Sequence, residues 1–298
     1  MFTCSHQCRK TFALPLELSA PRFPSPQKRL GQNFLRNAAI ARRIVEAAEI
    51  GKDDVVLEIG PGTGALTRFL LERAALVVAV EIDPRAVQWL SAQFGNVSKL
   101  HLVQGDVRAL DLVQLCLDAA VAHRLTSPRF RVVANLPYYI TSALLRQLLA
   151  LAPFFEVIVL TVQAEVAERI IARPPAMSLL GISVQFYAEP ELLFRISPGN
   201  FFPSPKVNSA VIRLRPHLRY KELLPEALFF RWVHAGFSQP RKQLLNTLAA
   251  SLNVPKESVR QLLLELGIAP ERRAETLSIE EWIRLAQAGE ARFGGAMR

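Results

Sequence analysis

The tetrapeptide Asn135-Leu136-Pro137-Tyr138, directly after Arg131-Val132-Val133-Ala134, brings together the groups needed to activate and hold a planar exocyclic amine. Such a nitrogen is a poor nucleophile, because its lone pair is delocalised into the ring. The amide oxygen of Asn135 and the backbone carbonyl of Leu136 could each accept one of its N–H bonds, favouring a tetrahedral nitrogen with its lone pair free. Tyr138 would stack on the base, and Pro137 would fix the backbone between them. A strand end running into an ordinary turn uses the same residue types, so the surroundings of the segment decide between the two readings.

Those surroundings read as successive strand ends. Val55 to Ile59 is an apolar strand entering the turn Gly60-Pro61-Gly62-Thr63-Gly64, and Ala65 to Ala74 is helix-like, the first βα unit of a doubly wound sheet. Leu76 to Val80 ends in Glu81-Ile82-Asp83, placing a carboxylate where the two hydroxyls of an adenosine ribose would be bound. Leu100 to Gln104 leads into Gly105-Asp106, and the next strand carries Asn135. Gly60, Glu81, Asp106 and Asn135 therefore stand along one rim, where open α/β sheets bind ligands. The glycine spacing is G-x-G-x-G rather than G-x-G-x-x-G, and no hydride-acceptor site is evident. A nicotinamide dehydrogenase is the reading to exclude, whereas Asn135 to Tyr138 suits a methyl acceptor.

On these residues the chain resembles the ribosomal RNA adenine dimethyltransferase family, from about Lys28 to Glu281. Lys28 to Leu35 is similar to the family's N-terminal motif, and the resemblance implies that Gln32, Asn33 and Leu35 contact S-adenosylmethionine. It assigns Gly60 and Gly62 to the glycine loop, Glu81 and Ile82 to the ribose, Asp106 and Val107 to the adenine ring, and Asn135 to the target amine and the neighbouring methionine part. Leu136, Pro137 and Tyr138 complete the target-amine motif. The first phenylalanine of Phe201-Phe202-Pro203-Ser204-Pro205-Lys206 would pack on the target adenine, a role favoured here over that of a buried loop anchor. The implied fold is α/β, a doubly wound Rossmann-like class I methyltransferase sheet with a small all-α C-terminal domain. The chain departs from the family pattern between Arg173 and Gly181, which lacks a tyrosine-glycine pair, and at Pro240, where an arginine is usual.

The implied activity is transfer of methyl groups to N6 of two adjacent adenines in a loop near the 3′ end of small-subunit ribosomal RNA, by direct displacement at the sulfonium carbon. The base must leave its stack to reach the site. Methylation of large-subunit RNA, as in the antibiotic-resistance relatives, is one alternative, and a non-catalytic assembly or transcription factor is another. The expected partner is the small-subunit RNA within a pre-ribosomal particle, met by a monomer.

Composition fits a polyanionic partner: 36 Lys+Arg against 26 Asp+Glu give +10 over 298 residues. Lys206, Arg241 and Lys242 are the expected RNA contacts, with Arg272-Arg273 more ambiguous. No catalytic metal is implied: Cys4, His6 and Cys8 cluster without a fourth ligand, and three cysteines make no disulfide framework. No apolar run is long enough to cross a membrane.

Three units are expected. Residues 1–27, rich in proline and basic residues, read as a disordered extension, residues 28–217 as the methyltransferase domain, and residues 218–298 as a helical RNA-binding domain. The cytoplasm is the expected location, with an organelle as the alternative if the extension is a transit peptide. Strands are expected over Val157 to Val162, Glu191 to Ile196 and Val207 to Leu214, the last two forming a hairpin around the Phe201 loop. Helices are expected from near Pro225, then over Arg241 to Leu252, Lys256 to Leu266 and Ile279 to Ala288. The stripe Phe229-Trp232-Phe237 reads as core rather than a base-stacking surface.

Overall fold

The computed structural model describes residues 25–294, so the expectations for Cys4, His6, Cys8 and most of the N-terminal extension lie outside the described residues. Its strands are β1 (Phe34–Leu35), β2 (Val55–Ile59), β3 (Leu76–Glu81), β4 (Leu100–Gln104), β5 (Phe130–Asn135), β6 (Val157–Gln163), β7 (Ala188–Ile196), β8 (Phe201–Phe202) and β9 (Ser209–Pro216). Seven of them form one sheet in the order β4-β3-β2-β5-β6-β9-β7. Strands β2 to β6 are parallel, and β9 pairs antiparallel with both β6 and β7. Strand order reverses between β2 and β5, which opens a crevice beyond their carboxyl ends. The expected β7–β9 hairpin is present, and β8 within its long connection pairs with β1.

Helices α1 (Ala38–Ala47), α2 (Thr67–Leu71), α3 (Pro84–Phe94), α4 (Leu112–Ala122), α5 (Thr141–Ala150), α6 (Ala164–Ile171) and α7 (Leu179–Tyr187) belong to the sheet unit. Side chains alternate along each strand, so β2 sends Val55, Leu57 and Ile59 into one apolar layer and Val56 into the other. The first layer holds Leu112 and Cys116 of α4 with Leu144 and Leu148 of α5, and the second holds Ile44 and Val45 of α1 with Leu70 of α2. Burial on both faces explains why β2 and β3 read as mainly apolar runs, interrupted by Glu58 in β2 and ended by Glu81 in β3.

Helices α8 (Glu226–Phe237), α9 (Leu244–Leu252), α10 (Lys256–Glu265) and α11 (Ile279–Phe293) follow. Their core is continuous with the first layer of the sheet: Phe186 of α7 stacks on Phe229 of α8 with centroids 4.4 Å apart. Phe229 and Trp232 are fully buried, in agreement with the core reading of that stripe. Helices α8 and α11 interlock. A Cβ on Gly236 would lie 2.2 Å from the Trp282 ring, and one on Gly289 2.1 Å from the Trp232 ring. Each helix thus offers a glycine to the other's tryptophan, and α11 runs through Gly289 to Phe293, past the expected end at Ala288.

Two other helices are shorter than expected. Over Ala65 to Ala74 only Thr67–Leu71 is α-helical, because the left-handed turn at Gly64, φ +81°, delays its start. Helix α9 begins at Leu244 rather than Arg241: the Lys242 amide closes a turn onto the Gln239 carbonyl at 3.0 Å, and Gln243 is extended as the residue that enters the helix.

Candidate active site

The carboxyl ends of β2, β3, β4 and β5 open into one cleft of about 830 Å³. Gln32, Asn33, Gly60, Gly62, Glu81, Ile82, Asp106, Val107, Asn135, Leu136, Pro137, Tyr138 and Phe201 all line it. Leu35 is not among the lining residues. On the two-residue strand β1 successive side chains face opposite ways, and Leu35 is buried against the α1 layer while Phe34 faces the cleft. Phe201 is buried, packed in the same layer as Leu35, and also forms part of the cleft wall.

The glycine turn is shaped for a ligand. Gly60 and Gly62 have φ of +69° and +56°, which L side chains rarely adopt. The place a Cβ would take on Gly60 has no atom within 4 Å, whereas on Gly62 it would meet the Phe34 ring at 2.9 Å. Thus the backbone at Gly60 stays open to a close-approaching group.

Glu81 and Asp83, two residues apart at the end of β3, do different work. Glu81 accepts hydrogen bonds from the amides of Gly62, at 3.0 Å, and Asp83, at 2.9 Å, which fixes its carboxylate at the cleft. Burial raises its pKa, and those backbone bonds oppose the rise. Asp83 caps α3 through the Arg85 amide. The Arg85 side chain, with a further contribution from Gln32, holds its carboxyl down at about 2. Gln32 donates to Asp83 at 3.2 Å and accepts from the Gln27 amide at 2.8 Å, so the N-terminal motif is stitched to the end of β3. Beneath the turn, Thr67 donates to Glu58 at 2.7 Å. Glu58 is fully buried, its second oxygen has no partner, and burial pushes its pKa up to about 8.

Asp106, at the end of β4, receives the amide of Arg108 at 3.0 Å and its guanidinium at 2.6 Å. These bonds lower its pKa and keep it ionised. A carboxylate offers about four lone-pair sites, so a further donor such as an exocyclic amine can still be accepted.

At the end of β5 the Asn135 amide nitrogen donates to the Asn33 carbonyl at 3.1 Å, which leaves the amide oxygen as the group available to a donor in the cleft. The Leu136 amide is bound to the Thr161 carbonyl of β6 at 3.3 Å. In the short turn Tyr138–Ile140 the carbonyls of Pro137 and Tyr138 are taken by the Ile140 and Thr141 amides, and no backbone bond of the turn uses the Leu136 carbonyl. Tyr138 is half-buried with its hydroxyl 2.7 Å from the buried Ser209 hydroxyl of β9, so its ring orientation is fixed from the far side of the loop. The arrangement offers two acceptors and two aromatic walls to a flat base carrying an amine.

Arg108, Tyr139, Phe34 and Leu30 also line the cleft, although the motifs give them no role of their own. The basic candidates stand elsewhere. Lys206 is exposed beside Gln163 and Pro198, and Arg241 and Lys242 are exposed in the α8–α9 turn. None of the three forms an ion pair among the described residues. Arg272, by contrast, binds Glu281 at 2.5 Å and the Thr276 hydroxyl at 3.1 Å, so its donors serve the helical unit itself. Among the described residues no cluster of side chains could hold a metal ion.

The description "Ribosomal RNA adenine dimethylase" matches residues 25–289. The Ribosomal RNA small subunit methyltransferase A of Dehalococcoides mccartyi (strain ATCC BAA-2266 / KCTC 15142 / 195) is 41% identical over 257 residues, covering 86% of either chain. The protein of that name from Moorella thermoacetica is 41% identical over 268 residues, covering 88% of this chain and 92% of its own. Among solved structures, a dimethyladenosine transferase from Plasmodium falciparum superposes with a TM-score of 0.72 at 27% identity, covering 88% of this chain and 98% of the other. The 23S rRNA methyltransferase ErmE does so with a TM-score of 0.68 at 29% identity, covering 86% of this chain and 99% of the other.

Proposed function

Because the chain belongs to the ribosomal RNA adenine dimethylase family, we propose that its cleft holds S-adenosylmethionine and an unstacked adenine side by side. The activity is S-adenosylmethionine-dependent dimethylation of adenine N6 in small-subunit ribosomal RNA. One observation carries the assignment of the site: Asn135, with its amide nitrogen tied to Asn33, shares a cleft with the strand-end carboxylates Glu81 and Asp106.

The residues present fit the cofactor. Glu81 would hold the ribose hydroxyls, Asp106 and Val107 the adenine edge, and the open backbone at Gly60 with Gln32 and Asn33 the remainder. Bound there, S-adenosylmethionine supplies an electrophilic methyl group on a sulfonium. The protein does the positioning. Asn135 Oδ1 and the Leu136 carbonyl accept the two N–H bonds of the target amine and turn its lone pair outward, and Tyr138 and Phe201 hold the ring. The nitrogen becomes acidic as it is alkylated and sheds its proton to water, so no strong base is required.

In this reading residues 28–217 carry the chemistry, and residues 218–298 dock the RNA through Arg241 and Lys242, with Lys206 as a contact from the catalytic side. The substrate form is a small-subunit particle, met by a monomer in the cytoplasm; among the described residues no helix is long and apolar enough to cross a membrane. The test is labelled methyl transfer to undermethylated small-subunit particles and, in parallel, to large-subunit RNA, with the modified bases mapped. Dimethyladenine confined to the small subunit is expected. Label on large-subunit RNA alone would overturn the substrate, and no label on either would overturn the enzymatic reading.

A further inference from the structure

Tyr139 follows Tyr138 directly but meets different surroundings. It lines the same cleft and is 58% exposed, among the largest exposures of any apolar or aromatic residue described. One side of its ring is backed by Gly31: a Cβ there would lie 2.9 Å from the ring, and Gly31 has φ +55°. The ring is therefore backed on one side by the Gly31 backbone, while more than half of the residue is open to solvent. Successive residues of a 3₁₀ turn point about 120° apart, so Tyr138 and Tyr139 cannot serve the same base. Phe202, the other aromatic ring of comparable exposure at 53%, differs in two respects. It has the Arg36 guanidinium 5.9 Å from its centroid, and it is not among the residues that line the cleft.

Beside Tyr139 stands Arg108, whose side chain is half exposed and held at the cleft by its ion pair with Asp106. A supported, open aromatic face next to a fixed guanidinium suits a base together with its phosphate, because stacking and charge then act on one nucleotide. Resting on the placement of the target adenine against Asn135 and Tyr138, we infer that Tyr139 and Arg108 form a second subsite, which takes the nucleotide adjoining the target. Tyr139 stacks on the base of that nucleotide and Arg108 meets its phosphate. The two subsites hold neighbouring bases apart, and so help to keep the target unstacked.

The test uses the full chain and small-subunit particles assembled with 2-aminopurine beside the target adenine. The unmodified protein and Tyr139→Phe should quench the 2-aminopurine fluorescence. Tyr139→Ala should not, and its KM for the particle should rise by roughly five- to a hundredfold, the range expected for loss of one base–aromatic stack. Its single-turnover rate at saturation should stay near that of the unmodified protein. Equal quenching by Tyr139→Ala overturns the subsite. So does a lower saturating rate with an unchanged KM, because Tyr139 would then act on the target amine. If the unmodified protein transfers no methyl group to these particles, the placement of the target itself fails, and the subsite falls with it.

Discussion

Asn135 and Asn33, 102 positions apart in the chain, are joined by one hydrogen bond in which the Asn135 amide nitrogen gives its proton to the Asn33 carbonyl. The bond settles which end of the amide meets the cleft, since the carbonyl oxygen cannot take that place. Replacing Asn135 with Ala removes one acceptor for the target amine and the tie to the N-terminal motif together. Methyl transfer should fall by about a hundred- to a thousandfold, the usual cost of about 2.7–4 kcal/mol for losing a preorganised polar contact. Single-turnover methylation at saturating cofactor measures this, and a near-normal rate would reduce Asn135 to a turn residue.

Glu81→Ala should weaken S-adenosylmethionine binding by about 1.5–3 kcal/mol, the range for hydrogen bonds to a charged group. It also releases the Gly62 and Asp83 amides, so a parallel urea melt should confirm that the variant remains folded. Isothermal titration that returns an unchanged affinity would remove Glu81 from the ribose site.

Tyr138→Phe retains the ring and loses the bond to Ser209, leaving a buried hydroxyl without its partner. Most methyl transfer should survive, with stability lower by roughly 1–3 kcal/mol for the unsatisfied group. Tyr138→Ala should lose the stacking contribution of about 1–3 kcal/mol as well. Comparing the two variants in rate and in denaturation midpoint separates ring from hydroxyl.

Glu58 makes stability depend on pH. Its pKa rises from an ordinary 4.5 to about 8 in the folded chain, so between those values the folded state holds a proton that the unfolded state has released. Stability from this group is therefore full below 4.5 and declines as pH rises towards 8. Glu58→Gln should flatten that decline in urea midpoints taken from pH 5 to 9. Parallel curves for the two proteins would show that Glu58 is ionised in the fold.

Arg241→Ala with Lys242→Ala should weaken particle binding and flatten its salt dependence, because fewer counterions are released. Cofactor affinity should stay the same. A salt slope equal to that of the unmodified protein would move the docking surface elsewhere on the helical unit.

The rim was legible in the sequence because each of its parts has a local signature. The apolar runs before Gly60, Glu81, Asp106 and Asn135 mark strands, and a parallel sheet must bring their carboxyl ends together. The side chain at Leu35 was not legible, since a strand of two residues has no periodicity of its own and its facing is set by its partner β8. Arg108 and Tyr139 carry no motif; their place at the cleft depends on Asp106 and on Gly31 in the folded chain. Arg272 looks like any basic residue until Glu281 is brought to it by the first turn of α11. The glycines facing Trp232 and Trp282 have the same character, because their reason lies on another helix.

The short ribbon of β1 and β8 pairs Phe34 with Phe202 and Leu35 with Phe201, so the wall expected to touch the cofactor and the wall expected to touch the target base are one hydrogen-bonded piece. Any ordering that an occupant imposed on one strand would extend to the other and spare the second occupant that cost. The two affinities are then linked by thermodynamic necessity: whatever factor S-adenosylmethionine adds to RNA binding, RNA adds to S-adenosylmethionine binding. Among the products, the demethylated cofactor retains the adenosine that Glu81 and Asp106 would grip. Its departure should therefore loosen the modified RNA, and turnover would be governed as much by the coupled release of two products as by transfer of the methyl group.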